Sequence, residues 1–191
     1  RSGLAWVKQG GKLGFVSERG ELVIPCVWDG AGHFSEGLAQ VKRGGKWGFI
    51  DRRGELVVPC VWDEASPFID GMAMVRKNGL WGCVDRHGEL AVPCAWEAMH
   101  FFDGGAATAM LREGRWSFVD RRGKPVSPGA FQDADWFSDG LAMVQQNGKW
   151  GFADGNGEVV IPCVWDEAFP FESGLAQVRQ GETWGFIDRR G

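Results

Sequence analysis

Short apolar segments alternate with polar, glycine-rich turns along the whole chain. After residue 36 the sequence runs through GLAQV, KWGFID and ELVVPCVW, which are separated by KRGG and RRG and followed by the polar stretch DEASPF. Short segments rich in Val, Ile, Phe and Trp and bounded by Gly and Pro are typical of β-strands. The pattern therefore predicts an all-β protein with three short antiparallel strands per recurring segment and negligible helix.

The turn residues support this reading. Asn78-Gly79 and Asn147-Gly148 stand between the first and second strands, and Asn-Gly favours the positive φ angles of a type I′ hairpin turn. The second turn begins with Asp51 and has Gly54 in fourth place, as a type I turn prefers.

Strand alternation predicts the buried face of the third strand. Successive side chains of a strand point to opposite faces, so one face should carry Leu56, Val58, Cys60 and Trp62. A phenylalanine also recurs in the loop that follows, where it is expected to cover the seam between repeats. Its copies are Phe68, Phe102, Phe137 and Phe171.

The three-strand segment repeats about every 34 residues. The Trp-Gly position recurs at Leu13, Trp47, Trp81, Trp116, Trp150 and Trp184. The proline position recurs at Pro25, Pro59, Pro93, Pro128 and Pro162. We call each such set of equivalent positions a column. Both columns show the same period and the same single insertion, which lies between Gly104 and Trp116. A helical repeat of this period needs long segments free of Gly and Pro, and none recurs here.

Five full repeats and a final half repeat account for nearly the whole chain. They form a single domain, 1–191, with repeats at about 3–36, 37–70, 71–104, 105–139 and 140–173 and a half repeat at 174–191. The extra half repeat favours an open twisted stack or solenoid whose two ends differ. A closed propeller-like ring is the alternative.

These residues resemble the bacterial WG repeat family, also called KWG repeats. The positions that match the family pattern are Lys46 to Asp51, Gly54, Pro59, Trp62-Asp63, Ala65 and Phe68. The match covers essentially the whole chain. Where the family usually has Tyr, this chain has Trp28, Trp62, Trp96 and Trp165. The resemblance implies an all-β repeat scaffold, and it implies no reaction.

Composition and charge exclude several classes of protein. Apolar residues make up 44% of the chain and the net charge is −4, so the chain is neither disordered nor drawn to nucleic acid. No apolar run approaches the roughly 20 residues that span a bilayer, so membrane insertion is not expected. The chain begins RSGLAWVKQG, without an initiator Met or a secretory pattern, and is expected to be a fragment.

The cysteines are expected to be reduced core thiols. Cys26, Cys60, Cys94 and Cys163 occupy one repeat position, a whole repeat apart, and Cys83 stands in a Phe position. This spacing is too wide for disulfides and lacks the pairing of a zinc site. We therefore expect no metal, no cofactor and a reducing, cytoplasmic location.

The two tryptophan columns allow two interpretations. Trp47 and Trp62 can be core rings, since each large ring removes roughly 150–250 Å² from water when buried. Exposed aromatic rows would instead suit stacking on sugars or choline. Core packing is the leading interpretation, and the exposure of the rings separates the two.

Charged residues are organised by position too. Basic pairs recur at the second turn and are the candidate binding residues for an acidic protein surface. They are Arg52, Arg53, Arg86, His87, Arg121, Arg122, Arg189 and Arg190. The simpler interpretation is that these basic residues are only solvated turn residues that keep the protein soluble.

No motif for catalysis is present. The recurring Asp residues begin turns, where Asp is favoured for its backbone hydrogen bond. The irregular fourth repeat is where a catalytic site should be sought, because active sites often lie where a repeat is broken. It contains Ser117, Ser127, Gln132, Asp133 and Trp136, and its nearest histidine is His100.

The leading hypothesis is therefore a non-enzymatic scaffold or binding module that presents an extended face to another protein. The alternatives are a carbohydrate or cell-wall binder with exposed Trp rows, and a regulatory repeat domain of a larger enzyme or effector.

Overall fold

The computed structural model describes residues 3–103, 105–111, 113–126 and 130–191. Gly104, Ser127 and Pro128, which the sequence analysis named, lie outside these residues. Every described element is a β-strand, and the predicted all-β class is confirmed. Since no helix is found among these residues, none could cross a membrane.

The chain forms two compact units, residues 1–94 and 95–191. The first unit contains three antiparallel sheets, each paired in chain order. The first sheet comprises β1 (Leu4–Gln9), β2 (Lys12–Ser17) and β3 (Leu22–Trp28). The second comprises β4 (Gly30–Ser35), β5 (Leu38–Arg43), β6 (Lys46–Ile50) and β7 (Leu56–Trp62). The third comprises β8 (Glu64–Ala65), β9 (Met72–Lys77), β10 (Leu80–Asp85) and β11 (Leu90–Trp96), whose last two residues belong to the second unit.

The second unit repeats this architecture. Its first sheet comprises β12 (Ala98–Met99), β13 (Ala106–Met110) and β14 (Trp116–Asp120). Its next sheet comprises β15 (Asp133–Ser138), β16 (Leu141–Gln146), β17 (Lys149–Ala153) and β18 (Val159–Trp165). Its last sheet comprises β19 (Glu167–Ala168), β20 (Leu175–Gln180) and β21 (Thr183–Asp188). None of the six sheets closes into a barrel within the described residues.

Among the described residues, every sheet after the first has a leading strand that the sequence pattern did not predict. The polar stretch after the third strand begins with a short strand that pairs with the following hairpin: Glu64 is opposite Arg76 and Ala65 is opposite Val75. The stretch was interpreted as a loop because it contains Asp, Glu, Ser and Pro. Backbone pairing over two residues needs no apolar alternation, so the pattern gives no sign of it.

The predicted face of the third strand is correct in part. Val58 and Trp62 are buried and Cys60 is half-buried, but Leu56 is 47% exposed. The pairing with β6 shifts register twice, between Trp47 and Phe49 and again between Phe49 and Ile50. An extra residue in a strand turns the following side chains to the other face, which is why simple alternation fails at Leu56.

The core lies between successive sheets of one unit. In the first unit, Phe49, Val58 and Trp62 of the second sheet pack against Ala73 and Val75 of the third. The recurring loop phenylalanine closes this layer, as predicted: Phe68 is 1% exposed, and its ring meets Phe49 edge to face at 4.8 Å. Each sheet is therefore stabilised by its neighbour rather than by itself alone.

Candidate binding surface

The two tryptophan columns are cross-strand partners. Trp47 lies opposite Trp62, and Trp150 lies opposite Trp165. In the third-strand column the exposed fraction is 3% for Trp28, 7% for Trp62 and 6% for Trp96. These three rings are core residues, which confirms the leading interpretation for Trp62 but not for Trp47, whose ring is half-buried.

The tryptophans of the Trp-Gly column are half-buried or, at Trp184, exposed, and cationic side chains lie over some of their rings. The Lys42 ammonium lies 5.4 Å from the centre of the Trp47 ring, and the Arg76 guanidinium lies 5.6 Å from that of Trp81. A cation over an aromatic face is attracted by the ring quadrupole. The protein's own cationic side chains therefore lie against the faces of these two rings.

Three buried indole nitrogens of the third-strand column form no hydrogen bond within the described residues. The Nε1 atoms concerned belong to Trp28, Trp62 and Trp165. A buried donor without a partner costs about 1–3 kcal/mol. The free energy gained by burying the apolar surface of each ring offsets that cost.

The acidic residue after each third-strand tryptophan connects two strands and a turn. Asp63 pairs with Lys46 of the Trp-Gly strand and also accepts a hydrogen bond from the backbone N of Asn78 at 2.9 Å. The Lys46 ammonium, followed by that backbone N–H, holds the pKa of Asp63 below its ordinary value. Asp29 and Asp166 form the same pairs with Lys12 and Lys149. The recurring Lys and Asp therefore have a structural role.

The second turns have the predicted geometry. Asp51 Oδ1 accepts hydrogen bonds from the backbone N of Arg53 and of Glu55, both at 2.9 Å. The same bonds recur at Asp85, Asp120 and Asp154. Turn-first Asp residues thus bond to the backbone, as their position predicted.

The candidate basic residues separate into two groups. Arg52, Arg53, His87, Arg122 and Arg190 are exposed on their turns. Others contact the protein itself. Arg86 Nη2 lies 2.6 Å from Glu36 Oε2, Arg189 Nη2 lies 3.6 Å from Asp139 Oδ2, and the Arg121 guanidinium lies 5.8 Å from the ring centre of Phe102.

The two ion pairs belong to one recurring arrangement. Glu36 Oε2 also accepts the backbone N–H of Gly71 at 3.0 Å, and Asp139 Oδ2 accepts that of Gly174 at 2.7 Å. Arg86 is the main cause that lowers the pKa of Glu36 below its ordinary value. The first Arg of these two turns therefore joins one sheet to the next. Sequence reasoning missed this role because Glu36 and Arg86 are far apart in the chain.

The irregular fourth repeat brings together an aromatic cluster. His100 stacks on Trp116 with ring centres 5.0 Å apart and lies edge-on to Trp136 at 6.1 Å. Its Nδ1 is 2.7 Å from the hydroxyl of buried Thr108. Burial lowers the pKa of His100, while Asp135 and Asp133 raise it in part. Trp136 is 52% exposed, and Ser117 is buried in the position of the usual glycine.

The most regular exposed feature was not predicted. Each third strand is the last strand of its sheet and carries exposed aliphatic side chains beside an exposed proline. We call these side chains in the first unit the third-strand edge. Its members are Leu22, Val23, Val27, Leu56, Val61 and Leu90, which are 42–54% exposed. Their recurrence at matching positions was visible in the sequence, but alternation assigned Leu56 to the core.

Potential metal ligands do not gather in the described part of the chain, where no group of three or more His, Cys, Asp or Glu side chains is found.

Six small antiparallel sheets, built from a repeat of about 34 residues, define a tandem β-repeat scaffold or binding module. The sequence pattern of the family described as WG containing repeat matches residues 14–47, 47–81, 81–114, 116–150 and 150–184. The chain belongs to this family, which confirms the resemblance seen in the sequence.

Solved structures show likeness of fold alone. A eukaryotic initiation factor structure has a TM-score of 0.58 at 11% identity, over 96% of this chain and 59% of that one. The computationally designed Ika8 protein has a TM-score of 0.50 at 12% identity, over 100% of this chain and 69% of that one. BamB from Moraxella catarrhalis has a TM-score of 0.47 at 13% identity, over 99% and 70%. No curated protein matches the chain.

Proposed function

We propose that this chain is a non-enzymatic binding module that presents its third-strand edge to another protein. The observation that carries the proposal is the recurrence of exposed aliphatic side chains at one position of consecutive sheets. Single exposed apolar residues are ordinary on a protein surface, whereas a recurring set is typical of an interaction site.

The chemistry of the edge suits a protein partner. Aliphatic side chains such as Val27 and Val61 offer apolar contact without directional bonds, as the centre of a protein interface does. Pro25 and Pro59 lack the N–H group that would add a further strand to the sheet. Binding through side chains, rather than by extension of the sheet, is therefore favoured here.

Exposed charges surround the apolar side chains. Arg52 and Arg53 lie in the turn that precedes β7, and both are exposed. A polar rim around an apolar centre is the usual anatomy of an interface, and guanidinium groups suit carboxylates of a partner. The exposed Arg residues support a partner with acidic residues beside an apolar stretch.

The burial of the tryptophan columns argues against sugar stacking along them. A row of platforms for sugar rings needs open ring faces, whereas Trp28 and Trp62 are at most 7% exposed. The half-buried rings of Trp47 and Trp81 lie beneath Lys42 and Arg76.

Outside the cluster around His100, the groups with shifted pKa values support a non-enzymatic role. Asp63 and Glu36 are accounted for by their ion pairs, and Cys60 by burial, which raises its pKa. Shifted groups at active sites typically line a cleft, whereas these stabilise turns and strands. Cys26, Cys60, Cys94 and Cys163 are free thiols, which supports a reducing, cytoplasmic location.

The test is a pair of matched double variants. Val27→Ser with Val61→Ser removes aliphatic contact from the edge, while Lys8→Ser with Glu18→Ser changes exposed residues elsewhere. Both should keep the fold, since all four side chains are exposed. Proteins captured from the source cells should be lost with the first variant and kept with the second. Equal capture by both variants would refute the proposed face.

A second candidate function rests on the aromatic cluster of the fourth repeat. Trp136 offers a half-exposed ring beside His100, with Asp133 and Asp135 nearby. Aromatic rings flanked by carboxylates are suited to sugars, whose apolar faces stack and whose hydroxyls donate. Titration of soluble oligosaccharides against tryptophan fluorescence, with Trp136→Ala as the control, tests this candidate.

A further inference from the structure

The fourth repeat lacks the carboxylate of a charged arrangement that three other repeats share. In those repeats the Asp that follows the third-strand tryptophan pairs with the Lys that precedes the Trp-Gly position. The pairs are Asp29 with Lys12, Asp63 with Lys46 and Asp166 with Lys149. At the equivalent positions the fourth repeat has Gln132 and Arg115. The cationic residue is therefore kept, while a neutral amide replaces the anionic one.

A backbone donor in the next hairpin turn completes the arrangement where the Asp is present. Asp166 Oδ2 accepts the N–H of Gly181 at 2.8 Å. The residue equivalent to Gly181 after the fourth repeat is Asn147. Gln132 Oε1 accepts the N–H of the following residue, Gly148, at 2.9 Å instead. Within the described residues, no acceptor is found for the N–H of Asn147.

The guanidinium of Arg115 retains donors for a further acceptor. Its Nη2 donates to the carbonyl O of Ala130 rather than to a carboxylate, and the side chain is exposed. A guanidinium carries several N–H groups in a planar fork, so one carbonyl group does not satisfy it. In the described part of the chain, the positive charge of Arg115 is therefore not compensated by an ion pair.

These donors line an open pocket of about 270 Å³. Its lining residues are Arg115, Ala130, Gln132, Gln146 and Asn147. The three amide side chains can each donate N–H groups. Among the described residues that line the pocket there is no Asp or Glu. The pocket thus offers one full positive charge and several N–H donors, without a negative charge of its own.

The complete repeats show what this arrangement stabilises. The Lys149 ammonium, followed by the N–H of Gly181, holds the pKa of Asp166 below its ordinary value. The pKa values of Asp29 and Asp63 are lowered in the same way. A cation next to a turn N–H therefore favours an ionised carboxylate here. The guanidinium in the fourth repeat suits the same group, since it can bind both oxygens of a carboxylate at once.

The exposure of the pocket indicates how its carboxylate is supplied. An ion pair at an exposed site contributes little binding free energy by itself. A small free carboxylate would therefore bind weakly, whereas a carboxylate attached to a protein is held by the other contacts of that protein as well. In the complete repeats the group is likewise an Asp side chain fixed by a neighbouring strand.

We propose that this pocket is a binding site for the side-chain carboxylate of an Asp or Glu residue on a partner protein. The carboxylate would lie between the guanidinium of Arg115 and the N–H of Asn147, as the Asp carboxylate does between the Lys and the turn N–H of the complete repeats. The site goes beyond the third-strand edge and does not depend on it, because none of its residues belongs to that edge.

Capped aspartate, N-acetyl-aspartate N-methylamide, is the direct probe of the pocket. It is titrated against the full chain by NMR at neutral pH and low ionic strength, where exposed charges are least screened. Saturable shifts are expected at the backbone amide of Asn147 and the Nε–H group of Arg115. Capped asparagine, which has the same shape without the charge, should produce none. N-acetylalanine, which carries a chain-terminal carboxylate, and inorganic phosphate should bind more weakly than capped aspartate.

Protein variants locate the site. Gln132→Asp supplies the missing carboxylate from the chain itself and should weaken binding of capped aspartate about fivefold or more. Gln180→Asp adds the same charge at an exposed glutamine that does not line the pocket, and it should leave binding unchanged. Arg115→Gln should weaken binding about fivefold, as expected for the loss of an exposed ion pair. All three side chains are exposed, so the folded state should persist.

Two kinds of result would overturn the proposal. The first is the absence of saturable shifts with capped aspartate, or binding that Gln132→Asp and Arg115→Gln leave unchanged. The second is equal or tighter binding of N-acetylalanine or inorganic phosphate, since the pocket would then not be selective for an acidic side chain.

Discussion

The Cα of Gly48 lies directly beneath the peptide that joins Pro59 to Cys60. A methyl group built on Gly48 would come 2.8 Å from both Pro59 C and Cys60 N, and 2.5 Å from the carbonyl O of Val58. The Trp-Gly and Pro-Cys pairs therefore recur together because each occupies the space that the other leaves. Backbone atoms form this contact, so a side chain cannot move away to make room.

Gly48→Ala should destabilise the protein by about 3 kcal/mol, since overpacking against backbone is at the upper end of such costs. Gly185→Ala is the matched control. It places the same methyl group in open space, and it should be neutral or stabilise by up to about 1 kcal/mol through the unfolded chain. Urea unfolding of both variants measures the difference. If both variants lost the same free energy of unfolding, the contact with the Pro59–Cys60 peptide would not be the reason for glycine at position 48.

Trp62→Ala should lower the free energy of unfolding by about 3–5 kcal/mol, because the ring is 7% exposed and fills the core between two sheets. Trp136→Ala should lower it by less, about 1 kcal/mol, because that ring is 52% exposed. Small and similar losses in chemical denaturation would mean that the third-strand tryptophans are not core residues.

How far the sequence predicts this molecule depends on the kind of feature. The repeat, the strand class and the turn at Asp51 follow from local pattern, because turns and strand segments are determined by near neighbours in the chain. The exposure of Leu56 does not, because the register shift between Phe49 and Ile50 places one extra residue in β7 and reverses the alternation there. The pairing of Glu36 with Arg86 joins residues from separate repeats, so no local pattern reveals it.

Cysteine reactivity should follow burial. Desolvation raises the pKa of Cys83 to about 12 and also raises those of Cys60, Cys94 and Cys163. Since the thiolate is the reactive form, a higher pKa leaves less of it at pH 8. Alkylation of these four cysteines in the native protein should therefore be slow, and slowest at Cys83, whereas in denaturant they should react rapidly. Mass spectrometry resolves the sites. Labelling of Cys83 as fast as Cys60, or a disulfide, would contradict this.

The two groups of basic residues should respond differently to charge reversal. Arg52→Glu with Arg53→Glu should leave stability within about 0.5 kcal/mol, because both side chains are exposed on a turn. Arg86→Glu places like charges against Glu36 and should cost more, about 1 kcal/mol for a half-exposed pair. If an acidic partner meets the turns, the Arg52–Arg53 reversal should also slow its association and reduce the salt dependence of the rate. An unchanged association rate would remove these turns from the binding surface.

We propose that the tryptophans build the scaffold while the third-strand edge meets a protein. Site-specific photo-cross-linking in the source cells tests it most directly, with the reactive residue placed at Val27, Val61 or Trp136 in separate variants. We expect Val27 and Val61 to yield an adduct with the same protein, and Trp136 to yield none with it. Adducts from Trp136 without any from Val27 and Val61 would contradict the account and move the binding site to the fourth repeat.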